Sequence, residues 1–99
     1  MVKKLTWDKE VLDQIDRVAE YIEQTWGRQS AKRFVQQVHK TALSLTKLPR
    51  TGRQSAKFED ICFINVGQYH WLYYRIRDTK IQVIYLFDTR QDPDKNPFG

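Results

Sequence analysis

Apolar and polar positions change period along the chain, and the changes mark out its elements. From Val2 to Trp7 they alternate, with Leu5 and Trp7 on one side and Lys4 and Thr6 on the other, which predicts a short strand. From Asp8 the period becomes helical. Leu12, Ile15, Ala19, Ile22 and Trp26 recur at intervals of three and four, with Val11 and Val18 widening the stripe. Asp8 suits the start of this helix, where a short carboxylate can accept the free amide bonds, and Gly27 suits a left-handed cap at its end. A second stripe, Ala31, Phe34, Val35, Val38, Ala42, Leu45 and Leu48, predicts a helix from about Ser30 to Leu48. Its opposite side carries Arg33, Lys40 and Lys47. Pro49 ends it, and a polar, basic loop through Thr51-Gly52-Arg53 follows.

The second half of the chain reads as strands. Glu59 to Val66 is apolar on both faces, Gly67-Gln68 makes a turn, and two longer strands rich in aromatic and branched residues meet at Arg77-Asp78-Thr79-Lys80. Consecutive strands with short turns form an antiparallel meander. The predicted order is β-α-α-β-β-β, an α+β domain in which a helical hairpin lies on a small, twisted, mainly antiparallel sheet. Ninety-nine residues suffice for a single domain over 1–99, with 89–99, charged and holding two prolines, as an irregular tail over the surface.

Alternation also sorts candidate chemistry. His70, Leu72, Tyr74 and Ile76 share one face of their strand and should pack under the helices. Tyr69, Trp71, Tyr73 and Arg75 share the other, which is expected to be open. The next strand gives no such choice, because Ile81, Val83, Tyr85 and Phe87 alternate with Gln82, Ile84, Leu86 and Asp88. An open face with Trp71, Tyr73 and Arg75 can stack bases and bind phosphate, can be covered by a partner protein, or can be a set of ordinary cross-strand pairs.

Charge narrows the partner. The net charge is +5, and it is unevenly spread. Asp8 to Glu23 holds six acids, whereas Gln24 to Phe58 holds none and eight bases: Arg28, Lys32, Arg33, Lys40, Lys47, Arg50, Arg53 and Lys57. Such a block suits a nucleic acid, a nucleoprotein or an acidic protein. The single cysteine, Cys62, has no pairing or metal-ligand partner in the sequence, and a reducing cytoplasm is the expected compartment. No apolar run is long enough for a membrane partner. There is no phosphate loop or nucleophile elbow, no cofactor is implied, and Asp88, Asp92 and Asp94 have the spacing of a solvated tail rather than of a metal site.

Several short patterns occur together: Trp26-Gly27, Ala31 to Phe34, Leu-Pro-x-x-Gly-Arg at Leu48 to Arg53, Tyr-Tyr-Arg-Ile at Tyr73 to Ile76, and Asp-Thr-Arg-Gln-Asp-Pro at Asp88 to Pro93. In this order, with this element sequence, the chain resembles the RelE/ParE superfamily of bacterial type II toxins, also called plasmid stabilisation proteins. The resemblance implies a growth-inhibiting toxin neutralised by a cognate acidic antitoxin that wraps around it. RelE-like members cleave mRNA on the ribosome, and ParE-like members act on DNA gyrase. Three departures favour the ParE-like branch and a binding rather than a catalytic role. Trp71 stands where the ribonuclease branch has an arginine; Cys62-Phe63-Ile64-Asn65 carries no base; and no histidine or tyrosine follows Arg90. Catalytic candidates under the ribonuclease alternative are Arg75, Arg90 and Tyr73. Residues expected to face the target or antitoxin are Trp71, Tyr73, Arg75, Arg90, Arg33, Lys40, Lys47 and Arg53. A toxin that keeps only its antitoxin-binding fold is the third reading.

Overall fold

The computed structural model describes residues 2–99. Strand β1 (Lys4–Trp7) leads into helices α1 (Lys9–Trp26) and α2 (Arg28–Leu45). A two-residue edge strand β2 (Arg53–Gln54) follows, then β3 (Ile61–Val66), β4 (His70–Ile76) and β5 (Lys80–Asp88). They form one sheet in the order β1-β5-β4-β3-β2. The meander β3-β4-β5 is antiparallel as expected, and β1 joins β5 in parallel, Leu5 opposite Ile81 and Trp7 opposite Val83. The sequence pattern does not anticipate β2, whose Arg53 and Gln54 pair with Phe63 and Cys62.

The helical hairpin covers one face of the sheet. Val11 and Ile15 of α1 and Val38 and Ala42 of α2 meet Val66, Leu72, Val83 and Leu86, while Leu45 packs with Cys62, Tyr74 and Ile81. The α1 stripe lies slightly round from its expected line. Val11 and Ile15 are buried at its centre, Leu12 is 40% exposed, and Trp26 stands clear of the core at 73% exposure. The hairpin turn is shorter than the three residues expected, since Gly27 alone ends α1 and begins α2. Its φ of 99° is open to glycine and costly for other residues, and its N–H donates to the Glu23 carbonyl at 3.0 Å. Asp8 precedes α1 without capping it. Its Oδ1 instead accepts from Gln82 Nε2 at 2.9 Å, tying the helix start to β5.

A bulge explains why β5 gave no clear face. Tyr73 pairs with Tyr85 but Tyr74 pairs with Val83, so Ile84 is an extra residue on β5. Ile81 and Val83 face the helices before the bulge and Leu86 does after it. Ile84, Tyr85 and Phe87 all go to the other side.

That other side is not open. Residues 89–99 turn back beneath the sheet, with a single 3-10 turn at Pro93–Lys95, and bring Phe98 against Tyr73 and Tyr85 at ring separations of 5.0 and 5.5 Å. Asn96 is 5% exposed and donates from Nδ2 to Tyr73 Oη at 2.8 Å. Ser55 Oγ donates to the Phe98 carbonyl. Ile61, Tyr73, Ile84 and Phe87 are thereby buried in a second, mainly aromatic core. The loop after α2 is fixed from the opposite face. Tyr74 Oη donates to the Pro49 carbonyl at 2.6 Å and accepts from Gly52 N–H at 3.1 Å. Gly52 has ordinary backbone angles. A side chain there would meet Tyr74 Oη at 2.5 Å and the Phe63 carbonyl at 2.6 Å, so close approach is what calls for glycine. Burial, with the nearby Cys62, pushes the Tyr74 hydroxyl up to about 12, and it remains a neutral donor at any physiological pH.

Candidate functional site

The residues expected on one open face occupy three separate places. Tyr73 is fully buried and its hydroxyl is held by Asn96, because the tail covers the face that alternation left open. Burial raises the Tyr73 hydroxyl above its ordinary value. Trp71 is half-buried beside it, packed on Phe63 at 4.6 Å and Phe87 at 6.2 Å. Arg75 lies nearby in sequence but is not a free cation. Its Nε sits 3.1 Å from Asp60 Oδ2 in an ion pair whose N–H direction misses the carboxylate, so the pair forms no hydrogen bond.

Arg33 and Lys40 are exposed on the outer side of α2, as their spacing requires, whereas Lys47, expected on the same helix, is exposed in the turn after it because α2 ends at Leu45. Arg53 lies on the edge strand β2, its guanidinium 5.3 Å from the centre of the Phe63 ring. These basic residues thus spread over an outer helix face, the turn after it and one sheet edge, and Arg53 reaches the aromatic residues through Phe63.

A concavity lies elsewhere. A groove of about 950 Å³ runs between α1 and the second half of β5, lined by Gln14, Arg17, Val18 and Tyr21 on one side and by Leu86, Asp88 and Arg90 on the other. It exists because β1 is shorter than β5. Pairing with β1 stops at Val83, so Ile84 to Asp88 has no strand neighbour on that edge. One outward group is already satisfied: Leu86 N–H donates to Gln14 Oε1 at 2.8 Å. Three exposed aromatic residues stand around the groove, Tyr21 at 60%, Trp26 at 73% and Tyr69 at 46% exposure.

Arg90 is part of the lining, and two contacts hold it there. Asp88 binds it in a fork, Oδ1 accepting from Nε at 3.1 Å and Oδ2 from a terminal nitrogen at 2.9 Å. Tyr69 lies under it, with the guanidinium carbon 4.3 Å from the ring centre. The Arg90 guanidinium holds the Asp88 carboxyl below the usual carboxylate range. His70, also in the lining, packs on Phe34 at 5.2 Å. Of these groove residues only Arg90 is among those expected to face the target or antitoxin. Tyr69, placed by alternation on the expected open face, lies at the turn before β4, and Tyr21 lies off the α1 stripe, where no periodicity distinguishes it from an ordinary surface aromatic.

Burial holds the His70 imidazole below its ordinary value of 6.5, against the opposing pull of Asp88. The unfolded chain therefore binds this proton more readily than the folded one. Stability from the neutral imidazole is complete above about 6.5 and declines as pH falls below that towards the folded pKa. Thermal melts at stepped pH should show this decline flattened in His70→Gln. An unchanged slope in the variant would assign the acid sensitivity to another group.

Comparison with known proteins agrees with this architecture. The sequence profile of the family described as "ParE toxin of type II toxin-antitoxin system, parDE" matches residues 5–93. The chain belongs to the ParE toxin family. It is thus a ParE-family toxin of a type II toxin–antitoxin system, a class that implies an antitoxin partner. Among solved structures it is similar to a chain of the "Chromosomal ParDE TA system from P. aeruginosa", with a TM-score of 0.75 and 13% identity over 88% of this chain and 96% of that one. At that identity the likeness speaks for the ParE fold alone. No match was found among curated protein sequences. No helix among the described residues is long and apolar enough to cross a membrane.

Proposed function

We propose that the protein is a toxin held inactive by an antitoxin segment seated in the groove between α1 and β5, and that it acts by binding a protein target, DNA gyrase, rather than by cutting RNA. The observation that carries this reading is the state of the three catalytic candidates. Cleavage through a 2′-hydroxyl needs a proton acceptor, a proton donor and a cation for the developing phosphorane charge. Here Tyr73 is buried under Asn96, Arg75 is paired with Asp60, and Arg90 is committed to Asp88 and Tyr69. The groove, in contrast, offers what an extended or helical partner segment uses: a stretch of strand edge with no strand neighbour, exposed aromatic side chains, and Arg17 for carboxylates.

Two measurements in cells expressing the chain separate the readings. Altered plasmid supercoiling with unchanged mRNA ends is expected. Codon-linked mRNA cuts with normal supercoiling would sink the gyrase reading and restore the ribosome-dependent ribonuclease. The groove has its own test, with the antitoxin encoded beside the toxin. Arg90→Ala should weaken that complex about tenfold, since it removes a partly exposed stacked cation and leaves Asp88 unpaired. Arg75→Ala should change it little, because Arg75 lies outside the groove lining. Equal affinities for Arg90→Ala and the parent chain would place the antitoxin elsewhere.

A further inference from the structure

The C-terminal end of α2 carries a second surface that shares no lining residue with the groove. Leu43, Leu48 and Val2 are 61%, 67% and 60% exposed and border a shallow hollow of about 430 Å³, with Lys40 and Lys47 among its lining. Each apolar side chain arrives by a different route. Leu43 follows buried Ala42, and one residue of helical rotation carries it off the core face. Leu48 was expected to extend the buried stripe. The helix stops at Leu45, Thr46 Oγ1 donates back to the Leu43 carbonyl at 2.6 Å, and Leu48 swings outward. Val2 is brought alongside because the next residue's amide, Lys3 N–H, donates to the Thr46 carbonyl at 2.9 Å.

Isolated exposed leucines are ordinary on a protein surface, but three apolar side chains from separate stretches meeting around one hollow form a patch. Its lysines are available as well. Neither Lys40 nor Lys47 is in an ion pair among the described residues, and no acid occurs between Gln24 and Phe58 to compensate them.

We propose that this surface docks an acidic amphipathic helix of a protein partner, its apolar side chains seated among Leu43, Leu48 and Val2 and its carboxylates on Lys40 and Lys47. Charge decides against a symmetric pairing of this patch with itself in a second copy, which would bring the same lysines towards one another. The apolar border decides against a nucleic-acid backbone, which would set phosphates over leucine and valine. The site stands whether or not the groove is where the antitoxin binds.

The probe is a synthetic helical peptide of about 18 residues, with leucines every three or four positions and glutamates between them. Titrated into the isotope-labelled full chain, it should shift the amide signals of Val2 and of Leu43 to Leu48. Leu43→Ser with Leu48→Ser should weaken binding about tenfold, as should Lys40→Glu with Lys47→Glu. All four side chains are exposed, so the unfolding midpoint of each variant should match the parent and exclude misfolding. Shifts confined to α1 and β5, or none at the patch, would overturn the proposal. It would also fall if a single-stranded DNA oligomer moved these amides when the peptide did not, or if the patch mediated self-association that Leu43→Ser abolished.

Discussion

Ending the chain at Lys95 should lower folding stability by about 2–4 kcal/mol. The deletion removes Phe98, which is half-buried and stacked against Tyr73, Tyr85 and Phe58, and Asn96, which satisfies Tyr73 Oη. Full burial of a phenylalanine is worth about 3–5 kcal/mol on truncation to alanine, so a half-buried one accounts for roughly 2. An unpaired buried hydroxyl adds about 1–3 kcal/mol, reduced here because the deletion also lets water reach it. Urea unfolding of the parent chain, the deletion and Asn96→Ala measures the two contributions separately. Binding of an apolar dye to the deletion should rise as the aromatic face is exposed. A parent-like midpoint with no added dye binding would mean that the tail contributes nothing to the second core.

Leu45→Ala should cost about 2–5 kcal/mol. Leu45 is fully buried at the end of α2, between Cys62, Tyr74 and Ile81, and belongs to the cluster that joins helix, sheet centre and β1 through Leu5. Its surroundings cannot easily close over a lost side chain. Tyr74 is fixed at its far end by Pro49 and Gly52, and Ile81 lies in a strand paired on both sides, so most of the cavity should persist. The same substitution at Leu43, two positions earlier and exposed, should change stability by less than about 0.5 kcal/mol. Similar losses at the two positions would show that the helix face has been wrongly placed.

Much of the architecture was legible because it depends on local periodicity. The two helices, the antiparallel meander and the face of β4 carrying Leu72 and Tyr74 follow from spacing alone. Three features did not follow, each for a physical reason. The bulge at Ile84 changes the phase of β5 midway, and a strand rich in apolar residues on both faces conceals such a step. The tail covers the second face of the sheet through Asn96 and Phe98, two side chains in a polar, proline-containing segment whose composition points to solvent. The groove arises from a difference in length between β1 and β5, and no single stretch of sequence encodes a difference. The candidate site was accordingly legible in part. Arg90 was marked by its place after the last strand, whereas Tyr73 was assigned to an open surface that the chain itself covers.

The groove also has a place in time. One wall is α1, near the start of the chain, and the other is the far half of β5, with Arg90 later still. The intervening helical turn and hairpins are local and close quickly, but the parallel pairing of Leu5 with Ile81 must wait for the end of the chain and pays a long loop closure. A nascent chain still lacking β5 has neither this wall nor the groove. An antitoxin segment seated in this groove, as proposed above, would need both walls and would recognise only the finished molecule.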